Sequence, residues 1–134
     1  MKLTKTESDF VQSQGVARLA TIGADGAPHN VPVCPVLDRG KVYIGTETEA
    51  KKVKNIRSNP QVTIVFDQYR DSWNGLRGVM LQCTARIVEQ KEFKNIRQKL
   101  YDKYPKYESQ SALEPGESVI VELLPEKKFS WGFD

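Results

Sequence analysis

The sequence contains few of the residues from which metal centres and nucleophile–base pairs are usually built. Its 134 residues include one histidine, His29, and two cysteines, Cys34 and Cys83, which stand far apart and in no Cys-x-x-Cys pattern. This spacing argues against a disulfide framework and against a zinc or other metal site, and it predicts two core thiols. His29 has no carboxylate partner at a motif spacing, so general acid–base chemistry is not indicated for it. Hydrolase and kinase motifs are missing.

Long apolar runs and a strong excess of one charge are missing as well. No stretch approaches the roughly 18 apolar residues of a membrane span, and the first six residues lack the apolar stretch of a secretory signal. We therefore expect a cytoplasmic protein with no membrane partner. The net charge of +3 is too small to indicate a nucleic-acid partner, and the basic stretch 51–57 has only Tyr43 and Phe66 near it as stacking aromatics.

The pattern of apolar residues predicts a single domain, residues 1–134, built mainly from β-strands. Short turns join most neighbouring strands, which favours antiparallel pairing, and a small barrel would protect the sheet edges. Three prolines restrict the strand at 27–37 to an edge or irregular position, and 27–45 is predicted to be a hairpin. Predicted strands cover 16–22, 27–37, 41–45, 61–66, 78–89, 118–124 and 127–131; predicted helices cover 6–14, 46–58 and 90–104; loops cover 67–77 and 103–116.

The helix predicted at 46–58 carries a dense group of positive charges. Its apolar residues recur every third position, and Thr46 or Thr48 could cap its N-terminus. Lys51 and Lys52 stand near the positive end of the helix dipole, which costs about 0.3–1 kcal/mol. A bound anion would turn this repulsion into attraction. The alternative is a basic helix face that is simply solvated.

Four short motifs follow one another along this part of the chain. A strand closes with the turn at 23–26, and a proline-containing strand follows at 31–33. A further strand ends at Thr46, which five residues separate from Lys52, and a helix then ends in Asn59-Pro60 ahead of the next strand. The pyridoxamine 5′-phosphate oxidase-like family has similar motifs in the same order, and the sequence resembles this family over roughly residues 10–90. The ordered set carries the resemblance, because each motif alone is common.

The resemblance implies a mainly β fold, a six-stranded antiparallel split β-barrel with flanking helices, which forms a homodimer and binds FMN at the subunit interface. Some branches of the family bind a deazaflavin. The implied activity is that of a flavin-dependent oxidoreductase, which moves a hydride between FMN and a small organic substrate or a nicotinamide. The alternative is a non-catalytic carrier or sensor of FMN, deazaflavin or haem. Oxidation of pyridoxamine phosphate is not expected, because the C-terminal segment lacks the arginines that would hold that substrate's phosphate.

The same resemblance implies which residues contact the flavin phosphate. Lys51 and Lys52 fall where the family places a basic pair on that phosphate, and Thr46 falls where a threonine lines the same pocket. Ammonium groups are suitable donors to a phosphate. Ala50 occupies a position where the family often has a serine, so one hydroxyl donor is missing here.

The flavin ring is expected to lie along the proline-containing strand. The segment from Arg77 to Leu81 resembles the family strand that contacts the ring or ribityl chain of the partner subunit's flavin. Trp131 either approaches the flavin or seals the barrel, and Trp73 belongs to an interface or a pocket lid. The residues whose backbone is expected to follow the ring edge are Val31, Pro32, Val33 and Cys34.

Overall fold

The structure is a computed structural model that describes residues 1–133. The strands are β1 (Ala17–Ile22), β2 (Pro28–Val33), β3 (Val36–Asp38), β4 (Lys41–Glu47), β5 (Gln61–Gln68), β6 (Arg77–Ile87) and β7 (Ser118–Trp131). The helices are α1 (Lys5–Ser13), α2 (Lys51–Ser58), α3 (Gln90–Lys103) and α4 (Tyr107–Ser111), and a 3-10 turn covers Trp73–Gly75. Within residues 1–133, every helix is too short or too polar to cross a membrane.

The strands form one antiparallel sheet in the order β2-β1-β5-β6-β7-β4-β3. Side chains alternate between the two faces, and the register places Leu19 opposite Ile64, and Ile64 opposite Leu81. These three residues share one fully buried cluster with Val42 and Leu123 from the other half of the sheet. The sheet therefore curls around this cluster, which confirms the predicted split barrel with flanking helices. The described strands number seven rather than six.

The segment predicted as one strand at 27–37 is divided. β2 pairs with β1, whereas β3 pairs with β4 on the far edge of the sheet, and the chain crosses between them at Cys34 and Pro35. The predicted hairpin over 27–45 is therefore wrong for β2. It is correct for β3 and β4, which are joined by a tight turn with positive φ at Arg39 and Gly40.

Two further boundaries differ from the sequence prediction. The strands predicted at 118–124 and 127–131 are one strand, β7, because an irregularity opposite Gln82 and Cys83 accommodates Pro125. α2 begins at Lys51, not at residue 46, because Thr46 remains in β4 and pairs with Val119. Among residues 1–133, no side chain caps α2, so the predicted cap by Thr46 or Thr48 is wrong.

A buried carboxylate attaches helix α1 to strand β7. Glu7 accepts hydrogen bonds from Lys128 Nζ at 2.6 Å, from the Ser130 hydroxyl at 2.8 Å and from the Thr4 backbone N–H at 2.8 Å. Burial by itself would raise the pKa of Glu7. The hydrogen bonds from these three donors outweigh that effect and lower the pKa to about 2.

We expect this contact to make the stability of the protein depend on acid pH. Because the pKa of Glu7 is lower in the folded chain than its ordinary value of 4.5, the stabilisation is complete above that pH and is lost as the pH falls towards 2. Thermal unfolding between pH 6 and pH 3 should therefore show a smaller decline in Tm for Glu7→Gln than for the wild type. Asp9→Asn, which removes a fully exposed pair with Lys5, is the control and should follow the wild-type curve. Parallel curves for Glu7→Gln and the wild type would contradict the assignment.

Candidate functional site

The barrel is split where two strand edges lack a strand partner within residues 1–133. β3 covers only the Lys41–Tyr43 part of β4, so the remainder of β4 has a free edge, and β2 has β1 on one side only. A cavity of about 640 Å³ lies at this split, in contact with both strands. We call it the split cavity. Its volume is within the usual range for small-molecule sites.

The prolines of β2 determine which backbone groups face the split. Pro28, Asn30 and Pro32 occupy alternate positions in the pairing with β1. Proline has no N–H to donate, so the hydrogen bonds to β1 must come from the residues between them. The free edge of β2 therefore presents the carbonyl oxygens of these three residues. Such an edge can accept hydrogen bonds from a ring N–H.

Four of the predicted cofactor residues meet in the split cavity, namely Pro32, Val33, Cys34 and Lys52. Three come from the end of β2 and the crossover that follows it. Lys52 comes from the first turn of α2 and is half-buried, whereas Lys51 is exposed and does not contact the cavity. The cavity thus combines a backbone edge with one ammonium group from the predicted basic pair.

Thr46 lines a second cavity, of about 740 Å³, on the other side of Lys52. This second cavity contains the carboxylates of Glu47, Glu49 and Glu117. Because these carboxylates would repel a phosphate, an anion is favoured in the split cavity instead. Lys52 borders both cavities and is the link between Thr46 and the β2 edge.

The predicted ring contacts at the other end of the sheet do not reach the split cavity within this chain. The guanidinium of Arg77 lies 5.8 Å from the centre of the Phe133 ring, and Trp131 packs over the backbone of Gly78. Val31 faces the core, and its side chain packs against the main cluster.

Trp73 and His29 do not line the split cavity within one chain. Trp73 is 88% exposed, so within one chain it covers no pocket. His29 lies opposite Thr21, contacts neither cavity, and its Nδ1 is buried without a hydrogen-bond partner.

The largest part of the cavity wall was missed by the sequence analysis, which predicted a loop over 103–116. The end of α3 and the start of α4, residues 103–107, form what we call the α3–α4 corner. Lys103, Tyr104, Pro105, Lys106 and Tyr107 all line the cavity, together with Gln110 and Ser111 of α4. The repeat of tyrosine at every third position from 101 to 107 was the available signal, and it was interpreted only as polar loop composition.

Hydrogen bonds attach this corner to both sides of the split. Lys103 Nζ donates to the carbonyls of Gln14 and Pro35 at 2.9 and 2.8 Å. The Tyr104 hydroxyl also donates to Pro35, at 2.6 Å, and the Tyr107 hydroxyl donates to Gly45 at 3.3 Å. The corner is therefore a fixed wall.

Burial changes the acidity of the corner's side chains. It lowers the pKa of Lys103 to about 8, because the neutral amine needs less solvation than the ammonium. It raises the pKa of Tyr107 to about 12, which keeps the hydroxyl protonated as a donor to Gly45. At neutral pH the corner thus presents a cation and neutral tyrosine rings.

A buried polar contact holds α2, and with it Lys52, against the barrel. Asn55 Nδ2 donates to Thr21 Oγ1 at 3.0 Å, and both side chains are almost completely buried. Asn55 follows Lys52 by three residues, so the two lie on neighbouring parts of the helix surface. Together with the buried side chains of Val53 and Ile56, this bond fixes the position of the helix.

Replacing Thr21 with valine should destabilise the protein by about 1–3 kcal/mol, because the Asn55 amide would remain buried without its acceptor. The measurement is the midpoint of urea unfolding at an unchanged m value. Thr21→Ser keeps the hydroxyl and is the matched control, expected to retain most of the stability. Equal midpoints for the valine and serine variants would argue against a role for the hydrogen bond.

Comparison with known proteins gives the family. The sequence profile described as pyridoxamine 5′-phosphate oxidase matches residues 3–132. A curated relative, the 5a,11a-dehydrotetracycline/5a,11a-dehydrooxytetracycline reductase of Streptomyces rimosus, is 38% identical over 94 residues. The match covers 66% of this chain and 66% of the relative, so the chain spans somewhat less than two thirds of that protein's length.

Solved structures share the fold over almost the whole chain. The haem storage protein HutZ of Vibrio cholerae has a TM-score of 0.81 at 18% identity, covering 96% of this chain and 94% of its own. An FAD-binding protein of Mesorhizobium loti has a TM-score of 0.75 at 22% identity, covering 96% and 93%. At these identities the likeness concerns the fold alone. The curled antiparallel sheet, the free strand edges beside the lysine of α2 and the match over residues 3–132 agree with one another: the chain belongs to the pyridoxamine 5′-phosphate oxidase family.

Proposed function

We propose that this protein is a flavin-dependent oxidoreductase that binds FMN in the split cavity and transfers a hydride to a small organic substrate. The observation that carries the proposal is that Lys52 and Pro32, at the end of the free β2 edge, line one cavity in which no carboxylate of residues 1–133 takes part. Flavin requires both features, an anion site for its phosphate and a polar backbone edge for its ring. The flavin, when bound, supplies the hydride chemistry.

The residues present fit this cofactor in the following way. Lys52 would hold the phosphate, and the exposed Lys51 next to it would add positive charge from outside the cavity. Thr46 would approach the phosphate from the second cavity, next to Lys52. The backbone of Val31, Pro32, Val33 and Cys34 would follow the ring and exclude water from one of its edges.

The proposed assembly is a homodimer with the flavin at the subunit interface. Phe129 is 62% exposed and its ring lies 5.7 Å from that of Trp131, and Leu124 on the same strand is 46% exposed. Exposed apolar groups of this size on one strand favour a protein partner. A second copy would cover them, and it would bring Arg77 and Trp131 of one subunit to the flavin held by the other.

The relatives support a reductase and indicate which acceptor to test first. The Streptomyces rimosus relative is a reductase of 5a,11a-dehydrotetracycline, and the Mesorhizobium loti structure is that of an FAD-binding protein. We therefore propose a conjugated cyclic ketone of this kind as the first acceptor for assay.

A haem-binding carrier is the second candidate, because HutZ shares the fold. Haem iron is usually held by histidine, cysteine, methionine or tyrosine. His29 is the only histidine of the chain, and it does not line the split cavity. Cys34, Tyr104 and Tyr107 do line it, but the hydroxyls of both tyrosines already donate to backbone carbonyls. Flavin is therefore favoured.

The absorbance spectrum of the purified protein tests the proposal. A flavin spectrum, with FMN identified by mass spectrometry after heat release, is expected. Parallel titrations of apo-protein with FMN, a deazaflavin and haem would distinguish these ligands. A protein that binds neither FMN nor the deazaflavin would contradict the proposal. Anaerobic reduction by NADPH, followed by repeated turnover with a conjugated acceptor, separates an oxidoreductase from a carrier, which would not turn over.

A further inference from the structure

The α3–α4 corner contains two lysines that the proposed flavin site does not use. Lys103 donates to two uncharged backbone carbonyls, and no carboxylate within residues 1–133 forms an ion pair with it. The side chain of Lys106 is exposed at the cavity rim and has no partner in the described part of the chain. A single flavin phosphate bound at Lys52 would leave both of these charges uncompensated.

The charges of the two neighbouring cavities differ in sign. Among residues 1–133, the split cavity is lined by the cations Lys52, Lys103 and Lys106 and by no carboxylate. The second cavity, which shares Lys52 and Tyr107 with it, contains three glutamates. An anionic ligand is therefore attracted to the corner side of Lys52.

The shape and rigidity of the corner restrict the ligand further. The rings of Tyr104 and Tyr107 lie 6.1 Å apart, and each hydroxyl is held by a backbone carbonyl. Pro32 and Pro105 line the same cavity. Aromatic rings and prolines with few free torsions present flat apolar surfaces, which suit a planar conjugated ligand better than a flexible chain.

We propose that the α3–α4 corner is a substrate subsite for planar aromatic compounds that carry an ionised acidic group, such as a phenolate, enolate or carboxylate. Lys106 contacts the acidic group at the rim, and Tyr107 packs against the ring system. This inference rests on the proposed flavin-dependent function, since it assigns the acceptor side of the same cavity.

The test uses the flavin-loaded protein and two probes of equal shape, anthraquinone-2-carboxylate and its neutral carboxamide. Isothermal titration calorimetry should give a Kd about 10-fold lower for the carboxylate, because one charge-assisted contact distinguishes the probes. Lys106→Gln should reduce this preference about threefold or more while leaving flavin affinity unchanged. Lys94→Gln, on the exposed part of α3, is the matched control and should bind both probes as the wild type does. Tyr107→Leu should weaken the binding of both probes to a similar extent.

Three outcomes would overturn the subsite. The first is equal affinity of the flavin-loaded protein for the two probes. The second is an effect of Lys94→Gln as large as that of Lys106→Gln. The third is that the carboxylate binds to apo-protein but no longer binds once flavin is present. In the last case the cavity holds the flavin ring alone, and the proposed function stands. If the wild type takes up no flavin but apo-protein still prefers the carboxylate, the flavin proposal fails while an aromatic-anion site remains.

Discussion

Replacing Lys52 with alanine is expected to weaken FMN binding about 10–100-fold. The reason is the loss of a charge-assisted hydrogen bond to the phosphate, which is worth about 1.5–3 kcal/mol. Lys52 is half-buried at the junction of the two cavities, so water replaces its ammonium less well than that of a fully exposed lysine. Titration of apo-protein with FMN, followed by flavin fluorescence, measures the change.

Two neighbouring lysines provide matched controls for this substitution. Lys51→Ala removes an equal charge from the same helix turn, but Lys51 does not contact the split cavity, so a loss of threefold or less is expected. Lys54→Ala should have a smaller effect still, because Lys54 is exposed and 3.8 Å from Glu49. Equal losses for the three variants would indicate general charge attraction. An unchanged affinity in Lys52→Ala would remove the phosphate assignment.

Replacing Arg86 with methionine should destabilise the fold by about 3 kcal/mol. Arg86 binds the carboxylate of Glu122 through two hydrogen bonds, of 2.6 and 2.9 Å, and Glu122 is only 4% exposed. Without Arg86 the buried charge of Glu122 loses its main partner, which typically costs about 3–5 kcal/mol. We expect no more than the lower end, because Arg86 itself is 43% exposed and because Tyr43 and Lys41 remain within 3.0 and 3.6 Å of the same carboxylate.

A double-mutant cycle in urea distinguishes a lost pair from lost packing. Arg86→Met with Glu122→Leu removes both charges, and it should be more stable than Arg86→Met alone. If the loss of stability in the double variant equals the sum of the losses in the two single variants, the explanation by an unpaired buried charge is contradicted. Both variants should bind FMN normally at low temperature, since Arg86 and Glu122 do not contact the split cavity.

The local structure of much of this chain follows from its sequence. Alternating apolar residues in β5 and β6, and the three-residue repeat in α2, each match one regular structure, because side-chain direction in a strand or helix depends on local geometry. The positive charge at the start of α2 was also visible from the sequence. These features led to the barrel, to the family resemblance and to Lys52.

Pairing between distant segments determined several boundaries that local patterns could not predict. Thr46 belongs to β4 and not to a helix cap because its backbone pairs with Val119, which is 73 residues away along the chain. In the same way, β2 and β3 are separate strands because each has a different partner. A sequence pattern describes a residue's own conformation but not which strand lies beside it.

The composition of the split cavity was likewise decided by the tertiary structure. Lys51 and Lys52 are adjacent in sequence, but successive residues point about 100° apart around a helix, and the packing of Asn55 on Thr21 determines which lysine faces the cavity. The sequence by itself determined that a helix with two lysines in its first turn comes after a proline-rich strand. Only the tertiary structure brought Tyr104 and Tyr107 to that place, because their hydroxyls bond the carbonyls of Pro35 and Gly45, more than 60 residues earlier in the chain.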